Sequence, residues 1–289
     1  MSLSSPLAVR RVDIDFAGVP LSWHPARPGL ARAANLVSFA AVTFERRLCD
    51  TFREALASTD ALPLDLRAEC EDFIAQEATH SRLHRRHLAA LGGTASLDVA
   101  VLQGELDALA DAHLGGLSLL DRLALGAIVE GALAPLGHYL VGERDVLFAG
   151  GDVRVAALFL WHFSEEIEHR STAHALYRAV GGTWAHRLRQ LPRLLRLHRA
   201  GMALLSPHLA VAGQPHARLG LPRSRARRRL FRDLAASLGP RPPMRPLPGW
   251  AARYLHAIQR GTGPVEAWTG QGRTAAGGEA APRSRAIAV

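Results

Sequence analysis

Four helical segments of this chain carry acidic and imidazole side chains inside apolar runs, in the order Glu, Glu-x-x-His, Glu, Glu-x-x-His. They are Glu45 in AVTFERRL, Glu77 and His80 in FIAQEATHSRLH, Glu130 in AIVEGALAPLGHYL, and Glu166 and His169 in WHFSEEIEHR. Residues three apart on a helix lie on one face, so each Glu-x-x-His directs both groups to the same side. Four buried carboxylates need cations to neutralise them, and two divalent cations suffice. The pattern therefore predicts a four-helix bundle that holds two metal ions.

The spacing of these motifs indicates an internal repeat. Glu45 and Glu77 are 32 residues apart, and Glu130 and Glu166 are 36 residues apart. Similar separations predict two αα-hairpins related by a pseudo-twofold axis. The connection between them is long enough to contain a crossover helix at about residues 97–113.

The predicted ligands differ in how strongly each of them indicates a metal site. A single Glu-x-x-His is common on solvated helix faces, but two of them, each preceded by a helix with an isolated glutamate, are difficult to obtain by chance. Glu130 is the strongest member because its neighbours are apolar. Glu45 is the weakest, since Arg46 and Arg47 follow it directly and a surface ion pair would also explain it.

Further polar residues share the inward faces. His162 lies one turn before Glu166, so it is expected to give the centre a third imidazole, with a buried supporting role as the alternative. Glu165 and Glu168 are rotated by about 100° from the motif and are expected to point elsewhere. No catalytic residue is expected beyond the metal site. The residues expected to support the ligands from behind or to line a pocket are His84, His138 and Cys49.

The overall pattern predicts an all-α protein, because no alternating apolar pattern is longer than Val12 to Phe16. The expected parts are an N-terminal arm (1–29), a dimetal four-helix bundle (30–182), a basic helical extension packed on the bundle (183–260) and a disordered tail (261–289). Gly-Gly pairs and proline-rich stretches mark the ends of the helices.

One apolar segment, Leu123 to Val141, is long enough to raise the question of a membrane span. Glu130 lies at its centre, where a carboxylate is costly in lipid, so a helix buried inside the bundle is the favoured explanation. Cys49 and Cys70 are the only cysteines. This argues against a disulfide scaffold or a cysteine-ligated cluster and, with no signal peptide evident, favours a cytoplasmic protein.

Charge is unevenly distributed along the chain. Residues 1–180 contain 16 arginines and 23 acidic residues, whereas residues 181–289 contain 19 arginines and 3 acidic residues. A strongly basic end can meet an acidic protein, a nucleic acid or a membrane surface. The composition does not choose among these partners.

On these residues the chain resembles a family of predicted metal-dependent hydrolases with a ferritin-like pattern. The resemblance runs from RRVDIDFAGVPLSW through FIAQEATHSRLHRRH to WHFSEEIEHRSTAHALYRAVGG, and resumes at PPMRPLPGWAARYL. It implies a ferritin-like four-helix bundle with a crossover helix and additional C-terminal helices. The segment FERRL departs from the more acidic segment of the family.

The ligand pattern with His162 also resembles the di-iron N-oxygenases that convert aryl-amines to nitro compounds. That resemblance covers only the ligands. It implies one iron held by Glu45 and His80, a second held by Glu130, His162 and His169, and bridges from Glu77 and Glu166.

Imidazole and carboxylate ligands suit iron, so the leading hypothesis is an O2-activating oxidoreductase with two iron ions that acts on a small organic substrate. Such an enzyme needs an external electron donor, because the chain has no flavin or NAD fingerprint, and the basic C-terminal region could dock an acidic one. The alternatives are a dimetal hydrolase, a tRNA-modifying hydroxylase and a non-catalytic metal-binding protein. A Mn/Fe or zinc centre and the oligomeric state remain open.

Overall fold

A computed structural model of the chain describes residues 7–59, 61–94, 97–209, 221–222 and 224–276. These residues contain helices and no strand, so the all-α prediction is confirmed. The helices are α1 (Pro28–Ser58), α2 (Leu64–Thr94), α3 (Val99–Leu114), α4 (Leu119–Gly142), α5 (Arg144–Leu147), α6 (Val153–His169), α7 (Thr172–Ala179), α8 (Trp184–Leu205), α9 (Arg225–Ser237), α10 (Gly249–Gln259) and α11 (Pro264–Ala276).

Two helix pairs form the bundle. Helix α1 packs along α2, and α4 packs along α6 and its continuation α7. The pairs meet where α1 contacts α4 and where α2 contacts α6 and α7. Helix α3 connects the pairs and packs between α1 and α8, as expected for a crossover. Each predicted metal-binding motif therefore lies on a different long helix of the bundle.

Local sequence sets where these helices begin. The side chains of Asp98, Ser118 and Asp152 each accept a hydrogen bond from a backbone N–H in the first turn of α3, α4 and α6. Such caps satisfy donors that the helix itself leaves unpaired. At the other end of α6, helical geometry breaks at Arg170–Ser171, directly after His169.

The N-terminal arm is extended and packs on the bundle. Val12, Ile14 and Phe16 are each 3% exposed, whereas the residues between them face solvent. In this short apolar alternation, every second side chain enters the helical core, and the segment joins no sheet in the described part of the chain. Arg10, two residues before Val12, is also buried.

The apolar segment Leu123 to Val141 lies within α4, which is surrounded by α1, α6, α7, α8 and α9. Its apolar side chains therefore contact other helices. Within the described ranges, no helix combines the length and the apolar character that crossing a bilayer requires.

The C-terminal helices cover the bundle. Helix α8 packs on α3 and α4, α9 packs on α4, and α10 and α11 pack on α6. Helix α11 corrects the expectation of disorder from residue 261, because Val265, Ala267 and Trp268 pack into the main core. Those three side chains provide the anchor that the glycine- and alanine-rich composition obscured. Residues 277–289 of the expected tail lie outside the described residues.

Candidate metal centre

The predicted ligands gather in two adjacent groups. The ligating atoms of Glu45, His80 and His162 lie within 4.8 Å of one another. The same holds for the second group, which consists of Glu77, Glu130, Glu166 and His169. The carboxylate of Glu45 is 12% exposed, and the other six side chains are almost fully buried.

Glu77 and Glu166 connect the two groups. Glu77 places one oxygen 2.8 Å from Nδ1 of His169 and the other 3.6 Å from Nδ1 of His80. Glu166 does the same from the opposite helix, at 3.6 Å from His169 and 3.5 Å from His80. Each carboxylate thus reaches both sides, which is the geometry of a bridging ligand and agrees with the predicted pseudo-twofold relation.

Glu45 and Glu130 lie at opposite ends of the centre. An oxygen of Glu45 lies 3.3 Å from Nε2 of His162, and an oxygen of Glu130 lies 3.8 Å from Nδ1 of His169. The surface-pair explanation of Glu45 is wrong, because Arg46 and Arg47 form ion pairs with Asp107 instead.

His162 lies on the Glu45 side of the centre. The resemblance to N-oxygenases implied that it joins Glu130 and His169, and the structure differs on this point. Its Nε2 atom donates to Glu166 at 2.8 Å, and its ring packs against that of His80 with centroids 4.1 Å apart and the ring planes tilted by 40°. One helical turn before Glu166, the imidazole lies beside Glu45 of α1 and beside His80 and His84 of α2.

The outer nitrogen of each motif histidine is held by the residue that precedes the glutamate of the other motif. His80 Nε2–H donates to Glu165 at 2.9 Å, and His169 Nε2–H donates to Gln76 at 2.6 Å. These bonds leave Nδ1 of both rings facing the carboxylates. A partner on the outer nitrogen fixes the tautomer and the ring orientation of a metal-ligating histidine.

The N-terminal arm supports both of these partners. Arg10 donates to Glu165 at 2.8 Å, and Gln76 donates to the backbone carbonyl of Ala8 at 2.9 Å. Arg10 also pairs with Glu168, which is partly exposed and has no contact with the centre. The expectation that Glu165 points elsewhere is therefore wrong: a rotation of 100° from Glu166 directs it towards α2, where His80 lies. The sequence feature that could have indicated this role is the position of Glu165 directly before the second Glu-x-x-His motif.

Of the supporting residues, His84 lies where it was expected. Its Nε2 atom is 2.7 Å from Nδ1 of His162, and its Nδ1 atom is 2.9 Å from the hydroxyl of Ser38. That hydroxyl also bonds Nδ1 of His87. The imidazole of His162 is therefore oriented from behind by a buried polar chain.

The structure corrects the expectation for His138. Its neighbours are Arg245, Arg170 and Asp233, outside the centre. Eight residues beyond Glu130, it lies about 12 Å further along the helix axis and 80° around it. Cys49 is buried close to Glu45 and Glu77, but its thiol donates to the carbonyl of Ile74 and burial raises its pKa to about 12. The position and hydrogen bond of this thiol therefore fit a packing role beside the centre.

Several buried atoms of the centre lie close to one another without forming the well-oriented hydrogen bonds that buried polar groups normally have. They are Oε2 of Glu45, both oxygens of Glu77, Nδ1 of His80, Oε2 of Glu130, Oε2 of Glu166 and Nδ1 of His169. They all face the shared space between the four helices. Oxygen and nitrogen atoms in this arrangement fit two divalent cations.

The electrostatics of the centre agree with this fit. Burial, together with the Glu166 and Glu77 charges, raises the pKa of Glu130 well above its usual value. Burial would lower the pKa of His80, but the Glu77 and Glu165 carboxylates raise it to about 10. Protons on these groups therefore balance charge when cations are not bound.

A cavity of about 520 Å³ ends at the centre. Its inner end is formed by Glu45, Glu130 and His162, and its walls come from α1, α4 and α8. Most of the lining is apolar. The cavity gives a small molecule a path to the centre, where it would meet Glu45 and His162 of the first group and Glu130 of the second.

A family model described as a predicted metal-dependent hydrolase matches residues 8–233. No curated protein and no solved structure matches the chain. The matched range begins at the residues of the arm that support the centre and includes all seven predicted ligands.

Proposed function

Because the chain belongs to the family of predicted metal-dependent hydrolases, we propose that it is a metalloenzyme with two metal ions, and more narrowly that these are iron and activate O2. The substrate of the proposed reaction is a small organic molecule that is oxidised. External electrons complete each turnover.

The observation that carries this proposal is the set of buried oxygen and nitrogen atoms without hydrogen bonds, together with the apolar cavity that reaches two of their residues, Glu45 and Glu130. Mixed imidazole and carboxylate ligands suit iron, and non-haem iron with open coordination positions binds O2. An apolar cavity admits both O2 and an apolar substrate, whereas it disfavours the water that hydrolysis consumes.

When bound, the metal ions supply two-electron redox chemistry. The protein residues supply position and charge. Glu77 and Glu166 span the two sides, His80 and His169 present Nδ1 inwards, and Glu45 closes the side nearest the cavity. The polar groups at the inner end of the cavity are themselves predicted ligands, so no protein acid or base remains there for a separate step.

Hydrolysis by two metal ions is the second candidate, and the description of the family favours it. Two adjacent cations can generate a bound hydroxide and polarise an ester or phosphate. The same ligands would serve this reaction. The two candidates therefore differ in the metal and in the consumption of O2.

We further propose that the external electron donor is an acidic protein. Helix α9 exposes Arg225, Arg228 and Arg229 on the surface of the bundle. Charge complementarity of this kind raises the association rate and weakens as salt screens it. Reduction of the iron-loaded protein by an acidic ferredoxin should slow as salt increases, and a salt-independent rate would refute this docking. Retention on RNA would instead favour the nucleic-acid alternative.

The experiment that tests the main proposal compares metals and reactions in one preparation. The protein is loaded with Fe(II) or Zn(II), and metal content, O2 consumption and ester hydrolysis are measured. We expect two irons per chain and O2 consumption by the reduced protein. Stoichiometric zinc with ester hydrolysis, and no O2 consumption by the iron form, would reject the proposal in favour of hydrolysis.

Two variants test the ligand set. Glu130→Ala removes a buried carboxylate of the centre and should abolish binding of the second metal ion. Glu168→Ala, on α6, removes a partly exposed carboxylate whose ion pair among the described residues is with Arg10, and it should retain both ions. Equal metal content in the two variants would contradict the proposed ligands.

A further inference from the structure

We infer that the cavity binds an uncharged, apolar substrate of about the size of two or three fused or linked rings. This inference deepens the proposed function and depends on it, because only a reaction at the metal centre makes the cavity a substrate site. Three features carry it: the apolar walls, the pairing of the charged groups in the lining, and the position of the inner end.

Most of the wall surface is apolar. Phe44 and Leu48 of α1, Val129 and Leu133 of α4, and Leu194 of α8 contribute to it. Transfer of an apolar molecule from water to such a lining is favourable in proportion to the buried area. A polar group placed against this apolar part of the lining would lose hydration without gaining a hydrogen bond there.

The charged residues of the lining are already paired. Arg47 contacts Asp111 at 2.6 Å, and Arg122 forms an ion pair with Glu54. Each of these partners is itself part of the lining. A charged substrate would therefore have to break one of these pairs to be neutralised, whereas an uncharged one leaves them intact.

Asp50, the remaining acidic residue of the outer lining, pairs with Arg53 at 2.8 Å. Glu45 and Glu130 at the inner end face the predicted metal ions. A substrate in this cavity therefore places one end against the centre and keeps the rest on apolar walls.

The volume limits the size of the substrate. At about 30 Å³ for each water-sized group, the cavity of about 520 Å³ holds on the order of 15 to 20 non-hydrogen atoms. This range covers a naphthalene with an attached ring or an alkyl chain of similar bulk. The cavity is too small for a polymer, and its apolar lining does not fit a side chain of a macromolecule that carries an unpaired charge.

The test uses two fluorescent probes with the same rings and different charge. N-phenyl-1-naphthylamine is neutral, and 8-anilinonaphthalene-1-sulfonate carries one negative charge. Both are titrated into the zinc-loaded protein, in which redox chemistry cannot occur. We expect one site for the neutral probe and at least tenfold weaker binding of the sulfonate.

Two neighbouring leucines of α8 provide matched variants. Leu194 lines the cavity, whereas Leu195 is 45% exposed and does not. Leu194→Trp should weaken the neutral probe at least tenfold, and Leu195→Trp should leave its affinity unchanged. Val129→Phe fills the cavity from the opposite wall and should act like Leu194→Trp if the latter fails to fold.

The inference is overturned if the sulfonate binds as tightly as the neutral probe, or if neither cavity-filling variant weakens binding. This outcome is independent of the proposed function. Probe binding to the zinc form with no O2 consumption by the iron form would reject O2 activation and support the cavity. O2 consumption by the iron form, without probe binding to the zinc form, would support O2 activation and reject the cavity as a substrate site.

Discussion

Replacement of Glu165 by alanine tests whether the outer hydrogen bonds of the histidines matter to the centre. Glu165 is 1% exposed and accepts the Nε2–H of His80 at 2.9 Å. The variant leaves that N–H buried without an acceptor and allows the ring to reorient. His169 keeps its own partner, Gln76, so the loss should fall on one side of the centre.

The expected magnitude follows from the role of such partners in metal sites. Removal of an outer hydrogen-bond partner costs about 10- to 100-fold in metal affinity. At about 1.4 kcal/mol for each tenfold change, this corresponds to roughly 1.4–2.8 kcal/mol. The metal ion on the Glu45 and His80 side should lose this affinity, and the ion on the Glu130 and His169 side should change little.

The assay is a competition titration of Co(II) or Zn(II) against a chromogenic chelator, which resolves the two binding steps. Glu168→Ala is the matched control, because Glu168 lies on the same helix and pairs with the same Arg10 but does not contact His80. Its two binding constants should equal those of the wild type. Gln76→Ala should weaken the binding step of the metal ion on the Glu130 and His169 side, because Gln76 holds His169.

Three results would refute the reasoning. Equal weakening of both steps by Glu165→Ala would show that the two sides are not supported independently. An effect of Glu168→Ala as large as that of Glu165→Ala would assign the loss to Arg10 and the arm, and not to His80. No effect of Glu165→Ala would show that the hydrogen bond does not orient the ligand.

Two further predictions concern protons. The pKa is raised, while no metal is bound, for four groups of the centre: Glu45, Glu130, His80 and His169. Binding of the metal ions at pH 7 should therefore release up to about four protons per chain, which a pH indicator in weak buffer measures. If no protons are released, the ligand set is contradicted. Burial lowers the pKa of His87 from 6.5 to about 4, so its neutral form stabilises the fold fully above pH 6.5 and this stability is lost as pH falls towards 4. The free energy of unfolding should therefore fall by about 3 kcal/mol more for the wild type than for His87→Asn between pH 7 and pH 4, measured with urea; equal losses would contradict this.

The fold followed from sequence wherever a helix carries a clear period and clear ends. The predicted crossover helix at about residues 97–113 begins and ends within two residues of α3 (Val99–Leu114). Helix α11 was missed because the prediction relied on composition, and glycine and alanine outnumber its apolar anchors. Only the packing of Val265 and Trp268 against the core distinguishes this helix from a tail.

The candidate site was predictable to the level of a helix face. Three-residue and four-residue spacings place Glu77 with His80 and His162 with Glu166, since both spacings repeat within one helix. They do not show which neighbouring helix a side chain meets. Which helix a side chain meets decides two features of the site: that Glu165 is bonded to His80, and that His162 lies on the Glu45 side of the centre. Both features came only from the structure.

The hydrogen bonds around the centre make the two metal positions unequal. His80 is held by a carboxylate that is itself held by a buried arginine, whereas His169 is held by a neutral amide. A carboxylate partner raises the basicity of a ligating imidazole more than an amide does. The side with the stronger imidazole donor is also the side of Glu45 and His162, both of which line the cavity. Glu130 of the other side also lines the cavity, so a molecule in the cavity would meet both positions. Through Glu165 and His80, Arg10 makes the N-terminal arm physically part of the centre, although the arm is separate from the bundle in sequence.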